Sequence, residues 1–492
     1  MTLTMAAYFA MLLIASRRSA RGGRGNDAFF RAGHSSPWWM VAFGMIGASI
    51  SGVSFISVPG WVGTTGMTYL QMCAGFFFGY LVVAFVLLPL YYRLRLTSIY
   101  DYLGSRFGRR SHLVGTSFFI LSKLTGAAAR LYLSCLVIGG FMLPGLGIGG
   151  SSAVSTAVTL GLAAVVLLLI WLYTRRGGIF TLVRTDALQT ACMLLATVAM
   201  VWVAASRLGL DFGGVWHTVV TAPEAVVFDW NAGSRQNFWR QFLSGVFIVI
   251  VMTGLDQDMM QKNLTCRNLR EAQKNMCSYG ACFLPVNALL LGLGILLYAL
   301  CRAQGAVVPA GDSLLPSVVG QGMLGSFVMI PFTVGIVAAA FSSADSAVTA
   351  LTTSVCIDLL GIERHGLSAE RQQGVRRRVH VVVVAAFLAC IAAFGVLNNT
   401  NVINAIYVMA SYTYGPLLGL YAFGLFTHRR ADDRMVPLIA VGSPLVCAAL
   451  DHFAPVWWGY TFGYELLMLN GAITFAGLWL SGAKRQIGGG LE

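Results

Sequence analysis

Apolar runs of about 20 residues recur from the start of this 492-residue chain to about residue 482, and a helix of that length crosses the roughly 30 Å hydrocarbon core of a bilayer. No water reaches that depth to bond an exposed amide or carbonyl, so only helices and closed barrels can span it. A barrel would show short segments of alternating polarity, whereas these runs are continuous. An all-α polytopic membrane protein is therefore expected. Composition agrees: 57% of residues are hydrophobic and 11% charged, against about 25% charged in soluble domains. We read thirteen spans, at 1–16, 36–62, 68–92, 111–145, 153–173, 180–208, 237–263, 273–301, 322–360, 377–396, 401–427, 434–452 and 462–482. They leave no room for a separate soluble domain.

Basic residues provide an independent check of that count. The odd-numbered loops and the tail hold 26 of the 33 Lys and Arg, beginning with Arg17, Arg18, Arg21, Arg24 and Arg31 and including Lys262 and the Arg376-Arg377-Arg378 run. Cytoplasmic loops carry such an excess, which predicts an N-terminus outside and a C-terminus inside the cytoplasmic membrane. The net charge of +14 is thus topology, and nucleic-acid binding is not expected. The first run is short for a crossing, so it either tilts little or continues from a start further upstream. It does not read as a cleaved signal peptide, because no basic segment precedes it.

The ten cysteines lie in or beside apolar runs without a zinc-like CxxC pair, and the histidines are scattered, with His34, His112, His365, His380 and His428 near membrane edges. Neither pattern points to a metal centre. No phosphate-binding loop or aqueous acid-base pair is present, so neither an ATP-driven machine nor an enzyme is indicated.

Two spans carry breakers at their middles. Span 36–62 holds Gly44, Gly47, Ser49-Ile50-Ser51 and Gly52 and closes with Pro59-Gly60, and span 237–263 holds Thr253-Gly254-Leu255-Asp256-Gln257-Asp258. Five spans separate their starts, the spacing at which inverted-repeat transporters place paired discontinuous helices, giving repeats at 36–208 and 237–427 flanked by 1–35 and 434–492. A third span carries Ala339-Ala340-Phe341-Ser342-Ser343-Ala344-Asp345-Ser346. A carboxylate at that depth marks an ion path by default. Positions 339, 342, 343 and 346 share one helical face. Small residues on such faces also permit close helix packing, which is the structural alternative for both features.

These motifs carry a resemblance. Trp38-Trp39-Met40 through Ile50-Ser51-Gly52, Thr185-Asp186-Ala187-Leu188-Gln189, Asn263 through Glu271-Ala272-Gln273-Lys274, Ser342-Ser343 with Cys356-Ile357-Asp358, and Tyr414-Gly415-Pro416 with Gly424-Leu425-Phe426 resemble the sodium:solute symporter family over essentially the whole chain. The resemblance implies a LeuT-type fold and inward solute transport with sodium. It implies a sodium site on the carbonyls of Gly47, Ile50 and Ala339 and the hydroxyls of Ser342 and Ser343, and a second one on Asp186, Ser342, Asp345 and Ser346. Sodium is a hard cation, which oxygen donors of this kind suit. Sialic-acid carriers tend to have hydroxyls at both of the last two positions, so Asp345 departs from the pattern. It is expected either to strengthen the cation site or to pair with a buried base, Arg130 or Lys123.

The cargo is less legible. Arg130 lies mid-span, and its planar fork suits a carboxylate; similar arginines in sialic-acid carriers hold the substrate carboxylate. Gln71 is the plainest polar group where some sugar carriers have an acid, and Asp256 and Asp258 are assigned to the gate or substrate site. The expectation is a carboxylated solute such as an acidic sugar or a small organic acid, with a neutral sugar, polyol or amino acid as the alternative. Channel and sensor are remote readings, since a channel needs a continuous pore of weak sites and a sensor needs a signalling domain. The expected partners are the solute, sodium and lipid, with no obligate protein partner.

Overall fold

The computed structural model describes residues 2–19, 26–145, 152–309, 311–363, 366, 368–397 and 402–482. In chain order the helices are α1 (Thr2–Ser19), α2 (Asn26–Arg31), α3 (Trp38–Ser49), α4 (Gly52–Thr65), α5 (Tyr69–Leu94), α6 (Asp101–Arg106), α7 (Arg109–Gly145), α8 (Ser152–Gly177), α9 (Ile179–Arg207) and α10 (Phe212–Thr221). They continue as α11 (Phe238–Gly254), α12 (Gln257–Asn263), α13 (Leu269–Ala303), α14 (Leu314–Gly320), α15 (Ser326–Leu359), α16 (Ala369–Leu397), α17 (Val402–Phe426), α18 (Val436–Trp458) and α19 (Leu466–Ser481). Extended pairing among the described residues is limited to one bridge, between Ser36 and Cys266.

Eight of these helices are long and apolar enough to cross a membrane, and the bent pairs α3/α4 and α11/α12 raise the number to ten. Each apolar run read from the sequence falls on a helix or a bent pair. The ends differ where helices carry polar turns beyond the lipid: α16 starts at Ala369 rather than 377, because hydropathy registers only the apolar part of a helix. Pro59-Gly60 does not close the first broken span but lies inside α4, which runs on to Thr65.

Burial places α15 at the centre. The apolar middle of α15 is 72% buried, against 22% for α18, so α15 is a core helix and α18 a peripheral one. Its small residues admit close neighbours: α9 packs between α15 and α3, while α5 packs on α11. The C-terminal helices α17 and α19 are drawn together in the same way, since a Cβ on Gly415 would lie 2.3 Å from the Asn470 amide.

Both breaks have local causes. At the first, the Ser51 side chain accepts from the Ser54 amide and starts α4 after a 63° bend. At the second, the Asp256 side chain accepts from the amides of Asp258 and Met259 and starts α12 after a 70° bend. Ser and Asp are favoured N-cap residues because their oxygens satisfy first-turn amides that have no helical acceptor.

The start of α7 is held from the α17–α18 connection. Asp433 accepts from the amides of Arg110 (3.0 Å) and Ser111 (2.8 Å) and from Ser111 Oγ (2.6 Å). Partial burial pushes its carboxyl up, but the Ser111 and Arg110 hydrogen bonds and the Arg110 charge outweigh this and hold it below the usual carboxylate range. A depressed folded value means the stabilisation is present above the unfolded pKa and is lost as pH falls through the folded one. Asp433→Ala should lower the thermal midpoint at pH 7 by about 2 °C, with the gap to wild type closing below about pH 4. A gap independent of pH in melts of detergent-purified protein would assign the effect to packing instead.

Candidate functional site

The first break releases backbone oxygens. In an unbroken helix the Ser51 amide would bond the Gly47 carbonyl and the Ser54 amide that of Ile50. Here Ser51 N–H bonds the Ser49 carbonyl at 3.1 Å, and Ser54 N–H bonds Ser51 Oγ at 3.4 Å. The Gly47 and Ile50 carbonyls thereby lose their regular donors, the condition under which a broken helix coordinates a cation. Gly47 also donates to Thr190 Oγ1 at 3.1 Å, and a Cβ there would lie 2.1 Å from that hydroxyl, so glycine is required for α3 to approach α9. The break lies against the middle of α15: a Cβ on Gly52 would reach the Ala340 amide at 3.4 Å. Ala339, Ser342 and Ser343 are buried beside it. The backbone and hydroxyl groups expected to hold one sodium are thus carried on elements in contact.

One step further along α15 lies a charged layer. Lys262 on α12 is 1% exposed; its ammonium is 2.8 Å from Asp186, 2.6 Å from Ser346 Oγ and 3.9 Å from Asp258. Ser342 and Ser346 donate to Asp186 at 3.3 and 3.5 Å. Asp345 accepts from Tyr173 and, at 3.5 Å, from Gln189. This corrects two expectations. Lys262 is not a loop residue facing the cytoplasm, and Asp345 pairs with neither Arg130 nor Lys123. Charge counting alone cannot tell a loop from the short helix after a break. The available signal was the i, i+4 spacing of Asp258 and Lys262, which places both on one side of α12.

Between the two breaks lies a cavity of about 120 Å³, walled by Ser49, Ser51, Lys123, Arg130, Asp256 and Tyr414, with aromatic rings that include Phe76 and Tyr80. Lys123 is held by both oxygens of Asp256 at 3.2 Å and by Asp258 at 2.7 Å, and Tyr414 donates to Asp256 at 2.6 Å. Asp256 and Arg130 therefore face the cavity, while Asp258 stands behind Lys123. No carboxylate lies within ion-pair distance of Arg130 among the described residues. Gln71 does not line this cavity. It is buried, donates to the Gln236 carbonyl at 2.9 Å and accepts from the Asp229 amide at 3.1 Å, tying α5 to the connection before α11.

The sequence did not point to a metal centre, yet one His–carboxylate group comes together at the α7 start. His112 Nδ1 faces Asp101 at 3.6 Å and Nε2 faces Asp358 at 3.3 Å. With opposite sides of the ring used, the group links α6 and α7 to the end of α15.

Two bent helices meeting around released carbonyls, buried acids and a polar cavity define a membrane carrier. The chain belongs to the sodium:solute symporter family, whose model matches residues 29–433. It is a transport protein with the LeuT-like fold, not an enzyme. The chain is 25% identical over 440 residues to the human sodium/iodide cotransporter, covering 85% of this chain and 65% of that protein. It is 23% identical over 466 residues to the sodium/sialic acid symporter SiaT of Proteus mirabilis, covering 90% and 88%. The solved structure of a sodium-coupled sialic acid symporter in its substrate-bound, outward-open state superposes with a TM-score of 0.80 at 19% identity, covering 98% of both chains.

Breaking a buried ion pair leaves an uncompensated charge and costs about 3–5 kcal/mol, whereas replacing both partners with neutral groups is often tolerated. Lys262→Met should therefore destabilise strongly, and Lys262→Met with Asp186→Leu should recover most of the loss. Thermal melts of the two singles and the double test this; additive losses would mean that the pair is not a stabilising unit.

Proposed function

We propose that this chain is a sodium-coupled symporter that imports a small carboxylated solute. The observation that carries the reading is the contrast between the two cations of the cavity. Lys123 is neutralised by Asp256 and Asp258, whereas Arg130 lines the cavity with no carboxylate of the described residues within ion-pair distance. A guanidinium in a dehydrated site seeks a planar anion. Both named relatives carry anions, iodide and sialic acid. An acidic sugar or a small organic acid would each supply the carboxylate. A neutral sugar or polyol would leave the Arg130 charge without an anion, whereas an amino acid would bring a carboxylate of its own.

Sodium is assigned to the Gly47, Ile50 and Ala339 carbonyls with the Ser342 and Ser343 hydroxyls. The second site, on Asp186, Ser342, Asp345 and Ser346, is assigned to the ammonium of Lys262, which already bonds Asp186 and Ser346. The family fold supports the further reading of repeats at 36–208 and 237–427. With α1, α17 and α19 counted as crossings, the chain has thirteen spans, the N-terminus outside and the C-terminus cytoplasmic.

Two experiments in proteoliposomes test this. Uptake should require an inward sodium gradient, and Ser343→Ala should raise the sodium concentration for half-maximal uptake by about tenfold, on the order of one lost ion–hydroxyl contact, with the order of preferred solutes kept. Monocarboxylate uptake with one sodium is electroneutral, so a net inward current would sink the one-sodium assignment. For the solute, Arg130→Ala should cost about 2–5 kcal/mol of transport efficiency by leaving the anion unpaired, and Arg130→Lys should also fail substantially, since a point charge does not copy the fork. A solute screen in which neutral sugars alone stabilise the protein, equally in wild type and Arg130→Lys, would remove the anion reading and leave sodium symport standing.

A further inference from the structure

A second, basic concavity lies away from the transport path. A cavity of about 610 Å³ opens between the end of α8 and the first turns of α16, walled by Trp171, Arg175, Arg376, Arg377, Arg378 and Val382. Two of these arginines are held in place. The guanidinium of Arg175 stacks on Trp171 at 4.8 Å, and that of Arg376 stacks on Phe29 at 4.4 Å while donating to Asn26 Oδ1 at 2.8 Å. Neither contact supplies a negative charge. The adjoining acids Asp27 and Glu363 are engaged by Arg31, and no carboxylate lies within ion-pair distance of Arg175, Arg377 or Arg378 among the described residues. His380 forms the inner wall, and both its ring nitrogens are used, by Thr174 at 3.0 Å and Thr352 at 2.9 Å. The recognition groups are thus the arginines alone.

The guanidinium groups of Arg175, Arg377 and Arg378 repel each other across the cavity unless an anion lies between them, and among the described residues no carboxylate is placed to serve. The position of the cavity identifies the anion. Val381 and Val382 on its outer side are 50% and 65% exposed, and in a bilayer an exposed valine on a spanning helix faces acyl chains. Trp171 marks the level at which aromatic rings sit against headgroups. The arginines belong to the face that the basic-residue excess assigns to the cytoplasm, where anionic lipids draw polybasic segments. A ligand that places a phosphate among the arginines and hydrocarbon along Val381 and Val382 satisfies both halves of the site. We infer that this cavity is a binding site for an anionic phospholipid, its phosphodiester held by Arg175, Arg377 and Arg378 and its chains lying on α16. The site is independent of the solute and sodium assignments. Because Arg376 reaches α2 and His380 reaches α15, the lipid would brace the junction of α2, α8, α15 and α16.

Purified full-length protein titrated with phosphatidylglycerol, and in parallel with phosphatidylcholine, with lipid adducts counted by native mass spectrometry, tests the inference. Phosphatidylglycerol should bind with at least tenfold preference. Each arginine contributes about 1 kcal/mol near a charged membrane surface, roughly fivefold in affinity, so Arg377→Gln with Arg378→Gln should weaken phosphatidylglycerol about 25-fold and leave phosphatidylcholine unchanged. Both positions are exposed, and an unchanged thermal midpoint without lipid verifies folding; Arg378→Lys, which keeps the charge, should bind nearly as wild type and serves should the double variant not fold. Arg434→Gln, on the same face but outside the cavity, should bind as wild type. Equal binding of the two lipids, an equal loss in Arg434→Gln, or unchanged binding in the double variant would overturn the site. Displacement of the lipid by millimolar inorganic phosphate would reassign it to a soluble anion.

Discussion

Two interruptions of backbone hydrogen bonding organise this molecule. A helix in lipid satisfies its own amides and carbonyls, and where the ladder stops the released groups must find partners inside the protein. At the first break Ser49 and Ser51 take over the amides and set the Gly47 and Ile50 carbonyls free. At the second Asp256 caps α12 and then spends its remaining capacity on Lys123 and Tyr414. The released carbonyls face a hydroxyl-bearing helix, while the capping carboxylate faces the cavity. Backbone geometry and cavity chemistry therefore share their residues, and opening or closing around either break must disturb both.

The buried charges follow from the same arrangement. A lone carboxylate is not sustained at such depth without a compensating group, and Asp186 finds one in Lys262, which enters from the far side of the second break. This contact ties α9 of the first half of the chain to α12 of the second across α15. An element that moves with the second bent helix is thereby bonded to one that flanks the first. Asp345 is served differently, by the hydroxyl of Tyr173 and the amide of Gln189, so two acids on neighbouring helix faces have unlike surroundings despite their proximity in the fold. A carboxylate with a dedicated ammonium and one with only neutral donors differ in what they can offer to a mobile cation.

The peripheral helices perform another task. The face of α18 is largely uncovered, as expected for contact with lipid, and the exposed leucines and valines along α8, α16 and α18 are solvated by acyl chains rather than left as defects. Where arginines stand at the foot of such faces, the protein meets the charged layer of the membrane, and the cavity beside Trp171 lies at that boundary.

The order and approximate limits of the helices were determined by the sequence, because an apolar run that must bury its own backbone in lipid is a local property with one solution. The two break positions were legible for the same reason: Gly, Ser and Asp act on the residues next to them. The contact of the first break with the middle of α15, seen at Gly52 and Ala340, fell on elements that family motifs had singled out, and Arg130 was legible as a mid-span base through hydropathy alone. Partnerships were not. That Lys262 leaves a presumed loop to meet Asp186, 76 positions earlier in the chain, that Lys123 belongs to Asp256 and Asp258 and not to Asp345, and that Gln71 secures a connection instead of lining the cavity are all decided by which faces the packed helices present to one another. A charge in a sequence announces only that it needs a partner; helix rotation and crossing set which partner comes within 3 Å, and these depend on side-chain packing summed over the whole bundle.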